Sequence, residues 1–453
     1  MKQKARAVPL LLTAILTGLL LYGCKPGHEM NLYVSPSGND ENPGTKDKPF
    51  KHIQKAVNSA KPGTVILARQ GDYQEQILIK KSGQKGAPIV LKNYPGEKAV
   101  INGKGVPVSS DNQGLISLQN SSYVTIEGLE IKDYQTNKED LVPAGIFISG
   151  SGKGIRLVNN HLYHIETHHK NGNAHGIAVY GSKAPEAFED IVISGNTLEN
   201  MKLGESEALV LNGNVKDFKI TNNTVRNMNN IGIDLIGYEG TAPDERYDQA
   251  RNGMVSGNTV SGISSYGNPA YGNDYSAGGI YVDGGKNITI EKNNVFQNDI
   301  GIEAASEHAG KTTSGIIIQK NTIYENSSAG IAIGGYDEKR GSTADSVITG
   351  NILYKNDARQ QEAGQILLQY HAWHNKIENN TLVAGESNLM ISSPFKGNDE
   401  NIINNNVYYL DKGEQSARWI WEDVDITGFS VYRERSGKDA GSVFKKEELR
   451  GIK

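Results

Sequence analysis

The sequence predicts a single right-handed parallel β-helix, all-β apart from a short helical cap at its N-terminal end. Three observations predict it. The middle of the chain repeats with a period near 31 residues, and each period holds two short apolar phrases that alternate. The composition agrees, with 52 Gly, 43 Asn and only 14 Pro among 453 residues. Short apolar runs separated by Gly and Asn are strands joined by tight turns. A repeat of this length marks one solenoid rather than several independent domains.

The first phrase is apolar-x-[Gly/Asn]-Asn-x-apolar. It places Asn160, Asn196, Asn223, Asn258, Asn294, Asn321, Asn351, Asn380 and Asn405 at intervals of 25 to 36 residues. The second phrase, Gly-Ile-x-apolar in its fullest form, supplies Ile146, Ile177, Leu209, Ile233, Ile280, Ile302, Ile331, Ile366 and Leu389. Strand alternation turns Ile177 and Val179 inward while Ala178 and Tyr180 face out. Stacked coils then form aliphatic ladders inside and asparagine ladders in the turns. A propeller blade needs four strands in ~40 residues, more than this period holds, and the regular leucine spacing of a leucine-rich repeat is missing.

The elements follow in order. Residues 1–23 carry Lys2, Lys4 and Arg6, then an apolar stretch from Val8 to Tyr22, which describes an export signal. Leu21-Tyr22-Gly23-Cys24 has the form of a bacterial lipobox, so Cys24, the one cysteine, is the expected lipidation site and lipid the expected membrane anchor; cleavage without lipidation is the alternative and would leave the protein secreted. One cysteine also excludes a disulfide framework. Cleavage removes three positive charges and takes the formal net charge from −4 to −7. Such a chain is no nucleic-acid binder, and an acidic substrate would need a local cationic patch or a metal ion. Residues 24–31 form a linker and 32–409 the β-helix. Phe50, Ile53, Ala56, Val57 and Ala60 share one helical face that can cap the first coil. Residues 410–453, with Trp419, Trp421, Phe429 and Tyr432, form an irregular tail expected to cover the last coil. The protein is expected to act as a monomer.

The opening stretch, LYVSPSGNDENPGTKDKPF followed by KPGTVILARQGDY and KKSGQKGAPIVLKNYPGEKAVING, resembles the N-terminal coils of family 9 polysaccharide lyases. These are secreted, pectate-lyase-like β-helix enzymes. The resemblance implies a polysaccharide substrate, acids on three successive coils that hold Ca²⁺, and a lysine base. Aligned on SEALVLNG, NNIGIDLIG and AGGIYVDGG, Glu207 takes the place of the first acid and Asp234 matches the last aspartate of the second phrase. Asn230 and Ile231 stand where the family has paired aspartates, and Tyr281 where it has the lysine.

The residues themselves mark the same coils. One outward column reads Ala178, Val210, Asp234, Tyr281, Glu303, Ala332 and Leu367; the next reads Tyr180, Asn212, Ile236, Asp283, Ala305, Gly334 and Gln369. Acids gather on adjacent coils, where strands stack ~4.8 Å apart and diagonal neighbours lie ~7–8 Å apart. Such carboxylates repel, so a cation or a raised pKa must relieve them. Loops converge here too. They bring Glu307, His308 and Lys311 in one, and Tyr336, Asp337, Lys339 and Arg340 in the next. Upstream, five of the ten histidines fall between His161 and His175, including His168.

Cleavage of a polyuronate by β-elimination needs a base for the C5 proton and a cation against the uronate carboxylate. Tyr281, His308 or Lys311 are candidate bases, and Lys339 or Arg340 candidate neutralising cations. His175, Tyr336 and Asp337 are expected to bind substrate, and Glu207, Asp234, Asp283 and Glu303 to hold Ca²⁺. Two alternatives use the same face. Asp283 with Asp234 or Glu303 matches the ~6.5–9.5 Å spacing of an inverting glycosidase pair, and a non-catalytic solenoid would use the groove for glycan recognition alone.

Overall fold

A computed structural model of the protein describes residues 30–109, 114–398 and 400–445. The lipobox and Cys24 lie outside these residues. Three parallel sheets of 19, 13 and 13 strands wind about one core, forming a right-handed parallel β-helix. A typical coil runs through Leu209–Gly213, Lys219–Thr221 and Thr224–Met228, one strand in each sheet, before Ile233–Ile236 begins the next. Among the described residues no helix is long and apolar enough to cross a membrane.

The inward ladder is in register. Ile146, Ile177, Leu209, Ile233, Ile280, Ile302, Ile331 and Ile366 pair strand to strand, and all are fully buried. The last rung differs from expectation. Ile391, not Leu389, pairs with Ile366, and the register to the following strand, Arg418–Trp421, shifts between Leu389 and Ser392.

The asparagine ladder is continuous through Asn160, Asn196, Asn223, Asn258, Asn293, Asn321, Asn351, Asn380 and Asn406. At Asn223, Oδ1 accepts from the backbone N–H and the side-chain amide of Asn196 at 2.9 and 3.0 Å. Its own amide donates to Asn258 Oδ1 and Ile193 O. The rungs are Asn293 and Asn406, not the Asn294 and Asn405 expected from the motif. The residue before each rung takes a left-handed turn, with φ of 56° at Asn222 and 55° at both Lys292 and Asn405. That turn explains why the phrase puts Gly or Asn first.

Helix Ile53–Ser59 buries Ile53, Ala56 and Val57 against the first coils. The Glu75 carboxylate accepts from the N–H groups of Ile53 and Gln54, supplying the missing partners at the helix N-terminus. At the other end the coil continues beyond 409. Arg418–Trp421 joins one sheet in parallel and Val443–Lys445 another. Val424–Thr427 then pairs antiparallel with Arg418–Trp421, and Trp419 stacks on Tyr432 at 4.8 Å. Of the tail aromatics, Trp419, Phe429 and Tyr432 are core, as the sequence suggests, and Trp421 packs against them partly buried.

Candidate active site

The strands Ile233–Ile236, Gly278–Asp283 and Ile300–Ala305 are neighbours in one sheet. Asp234, Tyr281 and Glu303 therefore stack in one outward column, with Asp283 beside it. The expectation that this column faces solvent does not hold. Asp234, Tyr281, Asp283 and Glu303 are 2–6 % exposed, because the two insertions between Ile236 and Gly278 fold across the sheet. Asn268 pins one of them by donating to Gly204 O and Asn229 O at 2.7 and 2.8 Å. Asp248 closes the other by accepting from the N–H groups of Gly240 and Ala242.

Burial sets the electrostatics. Asp234 Oδ1 accepts from the Leu235 N–H and Asp283 Oδ1 from the Glu307 N–H, each at 2.7 Å. Burial first, then neighbouring carboxylates, still hold both acids well above the usual carboxylate range. Burial and the charge of Glu307 push Glu303 up to about 8, opposed by a hydrogen bond from Gln369. Burial and Glu239 push Glu207 up to about 8. The Tyr281 phenol is raised well above its ordinary value, by burial and then by Asp283 and Glu303. It is a proton donor at neutral pH, and its hydroxyl donates to Glu307 Oε1 at 3.4 Å.

The other sequence candidates divide. His308 reaches the acids: Glu239, Asp283 and His308 offer ligand atoms all within 4.8 Å of one another. Its Nε2 is buried without a hydrogen-bond partner. Of the four acids expected to hold Ca²⁺, only Asp283 belongs to this trio. Two carboxylates and an imidazole fit a divalent cation that accepts nitrogen with oxygen, and match less well the roughly six to eight oxygens that calcium takes. Lys311 is drawn away as an ion pair with Glu245 and lies over the Tyr238 ring at 5.3 Å. Arg340 donates to Glu307 O at 3.0 Å and covers the Tyr336 ring at 4.5 Å. Lys339 is exposed, and the Asp337 carboxylate caps its turn through the Lys339 and Arg340 N–H groups.

His175 lies on the same face further upstream. It is buried, pushed down to about 4 by desolvation, and its Nδ1 lies 3.6 Å from the Glu207 carboxylate. The remaining histidines of that stretch belong elsewhere. His161–Thr167 is a strand of another sheet, His161 pairs with Glu199, and His168 pairs with Glu166. The sequence concentration of histidines is therefore split between two faces.

Three cavities follow one another along the outward face. The upstream one, about 610 Å³, is lined by His175, Tyr180, Glu207, Asn212 and Glu239 among others. The central one, about 430 Å³, is lined by Tyr271, Tyr275, Tyr281, Glu303, Glu307 and Tyr336. The downstream one, about 530 Å³, shares Tyr336 and Gln369 with it. Among the described residues no lysine or arginine lines any of the three. Sequence reasoning passed over Glu239, and it placed Glu307 on a converging loop and Gln369 in an outward column without giving either a role. Glu239 sits beyond the strand Ile233–Ile236, where the alternation that marks outward residues has ended.

Comparison with known proteins follows the same outline. A family model described as a Pel9A-like, right-handed β-helix region matches residues 32–202, and a right-handed β-helix region matches residues 207–382. The chain is 46 % identical over 442 residues to the uncharacterized protein YwoF of Bacillus subtilis (strain 168), covering 96 % of this chain and 93 % of that one. It is 26 % identical over 359 residues to pectate lyase PEL9 of Emericella nidulans, covering 72 % and 78 %. Among solved structures, the GH136 lacto-N-biosidase from Eubacterium ramulus aligns with a TM-score of 0.55 at 17 % identity, over 92 % of this chain and 67 % of that one. That likeness is one of fold.

Proposed function

Since the chain belongs to the family of YwoF and is a right-handed, pectate-lyase-like β-helix, we propose that it is a carbohydrate-active enzyme. Its reaction is β-elimination of an acidic, uronate-containing polysaccharide. The observation that carries this reading is the Tyr281–Glu307 contact in the central cavity, with the Glu239–Asp283–His308 trio joined to it through the Glu307 N–H bond to Asp283. The sequence likeness to a pectate lyase supports it.

In this reading Glu307 is the base. Its carboxyl is raised by burial, which brings its basicity nearer the working pH. It takes the C5 proton, the C5–H electrons form the C4=C5 double bond, and the C4–O bond breaks. The Tyr281 hydroxyl is the proton donor for the departing oxygen. A divalent cation held by Glu239, Asp283 and His308 would supply positive charge against the uronate carboxylate. Arg340, beside Glu307, adds a fixed positive charge to this end of the cleft. The leader ending at Cys24 supports an exported, lipid-anchored protein.

One observation favours a second reading. Glu207 and Glu303 are pushed up to about 8, and a carboxyl held protonated near neutral pH is what the acid of a glycoside hydrolase requires. Incubation with a panel of uronate polysaccharides, with and without chelator, separates the readings. Ultraviolet absorbance from an unsaturated product that disappears on chelation supports elimination. New reducing ends without absorbance overturn it in favour of hydrolysis. No cleavage of any glycan overturns both and leaves a binding solenoid.

A further inference from the structure

The downstream cavity lies beyond the residues assigned to chemistry. Its floor continues the outward column: Glu303, Ala332, Leu367 and Ser392 pair in succession. Three strand spacings put Ser392 ~14 Å from Glu303 along the groove. Two polar atoms on this floor are left without partners. Ser392 is fully buried and Gln369 is 8 % exposed, yet Ser392 Oγ and Gln369 Oε1 make no hydrogen bond. Both residues line the cavity. A buried polar atom without a partner costs ~1–3 kcal/mol, so two of them on one cavity floor point to partners that a ligand brings.

The walls say what kind of ligand. Phe395 lines the cavity and is held by a stacked Tyr370 ring at a centroid distance of 3.6 Å. Tyr336, 44 % exposed, stands on the boundary with the central cavity. Rings with one free face suit the C–H face of a pyranose. The charged lining is wholly acidic, consisting of Glu362, Asp423 and Asp425. Among the described residues only Asp425 of these three has a cationic partner, Arg418 at 2.6 Å. Carboxylates accept from sugar hydroxyls and repel a uronate carboxylate.

We propose that this cavity is a distal sugar subsite that takes an uncharged pyranose and rejects a uronate. The Phe395 face, Gln369 Oε1 and Ser392 Oγ recognise it, and Gln369 joins the subsite to Glu303. The inference rests on the reading above only in treating the groove as the substrate groove. It adds that the substrate is a heteropolysaccharide, with neutral sugar to one side of the bond that is cut.

Binding without turnover tests it. The Glu307→Gln protein, in chelator, is titrated calorimetrically with cellotetraose, xylotetraose, β-1,4-galactotetraose and tetragalacturonate. At least one uncharged tetrasaccharide binds and tetragalacturonate binds at least about tenfold more weakly. Adding Phe395→Ala weakens the neutral ligand about tenfold. Ser392→Ala gives the diagnostic pair of results. It weakens the ligand several-fold while leaving the thermal midpoint unchanged or higher, because it removes an unsatisfied buried hydroxyl. Failure of all three neutral probes to bind, tetragalacturonate binding as tightly as they do, or unaltered binding in both variants overturns the subsite. Neutral-sugar binding without polyuronate elimination removes the proposed reaction and leaves the subsite standing. Elimination without neutral-sugar binding does the reverse.

Discussion

Replacement of Glu303 by glutamine tests whether the acid column is held protonated by its surroundings. Glu303 is 6 % exposed. Burial, with the charge of Glu307, pushes its carboxyl from the ordinary 4.5 up to about 8. The folded protein therefore keeps this proton until about pH 8, whereas the unfolded chain releases it near 4.5. A raised folded value contributes stability that is fully present below 4.5 and is lost as pH rises toward 8. At ~1.4 kcal/mol per pH unit, the whole window corresponds to at most about 5 kcal/mol. Glutamine has nearly the shape of the protonated acid and does not ionise. With chelator present, Glu303→Gln should match the wild type within ~1 kcal/mol at pH 5 and exceed it by a few kcal/mol at pH 8. Urea unfolding followed by circular dichroism at both pH values measures the difference. Parallel loss of stability in the two proteins between pH 5 and 8 would refute the argument.

Three further outcomes follow from the same structure. Leu209→Asp places an unpaired charge in the fully buried ladder between Ile177 and Ile233. It should cost more than ~4 kcal/mol, and a urea midpoint near that of the wild type would contradict the register. Asn223→Ala strips partners from Asn196, Ile193 and Asn258, so unfolding should become easier by ~1–3 kcal/mol for each buried group left unpaired, with KM unchanged. Tyr281→Phe and His308→Ala should each lower turnover by at least ~10²-fold. The thermal midpoint should hold in Tyr281→Phe, whose ring packing is kept; near-wild-type turnover in both variants would remove this cleft from the mechanism.

The ladders were legible because their causes are local. Side-chain direction alternates every residue along a strand, and identical coils stack, so Ile177, Leu209 and Ile233 announce one buried column without reference to anything distant. The outward column Asp234–Tyr281–Glu303 was legible for the same reason, since it is the other half of that alternation. Position within the turns was harder to read. In IEKNNV neither asparagine satisfies the motif in full, because Lys292 precedes Asn293 and Glu291 stands at the apolar position for Asn294; only the left-handed φ of 55° at Lys292 makes Asn293 the rung.

Burial of the acids was beyond the sequence altogether. It depends on where the insertions of residues 237–250 and 264–277 come to rest, through contacts such as Asn268 with Gly204, 64 residues apart. The partners of the charged loops were hidden in the same way. Lys311 lies next to the site in sequence yet pairs with Glu245, while Glu239 and His308 come together from different coils around Asp283. Periodicity fixes which face a residue occupies, because each strand carries that information in its own alternation. Which charges meet on that face, and whether water reaches them, depends on loop packing over long chain separations, and only the tertiary structure decides it.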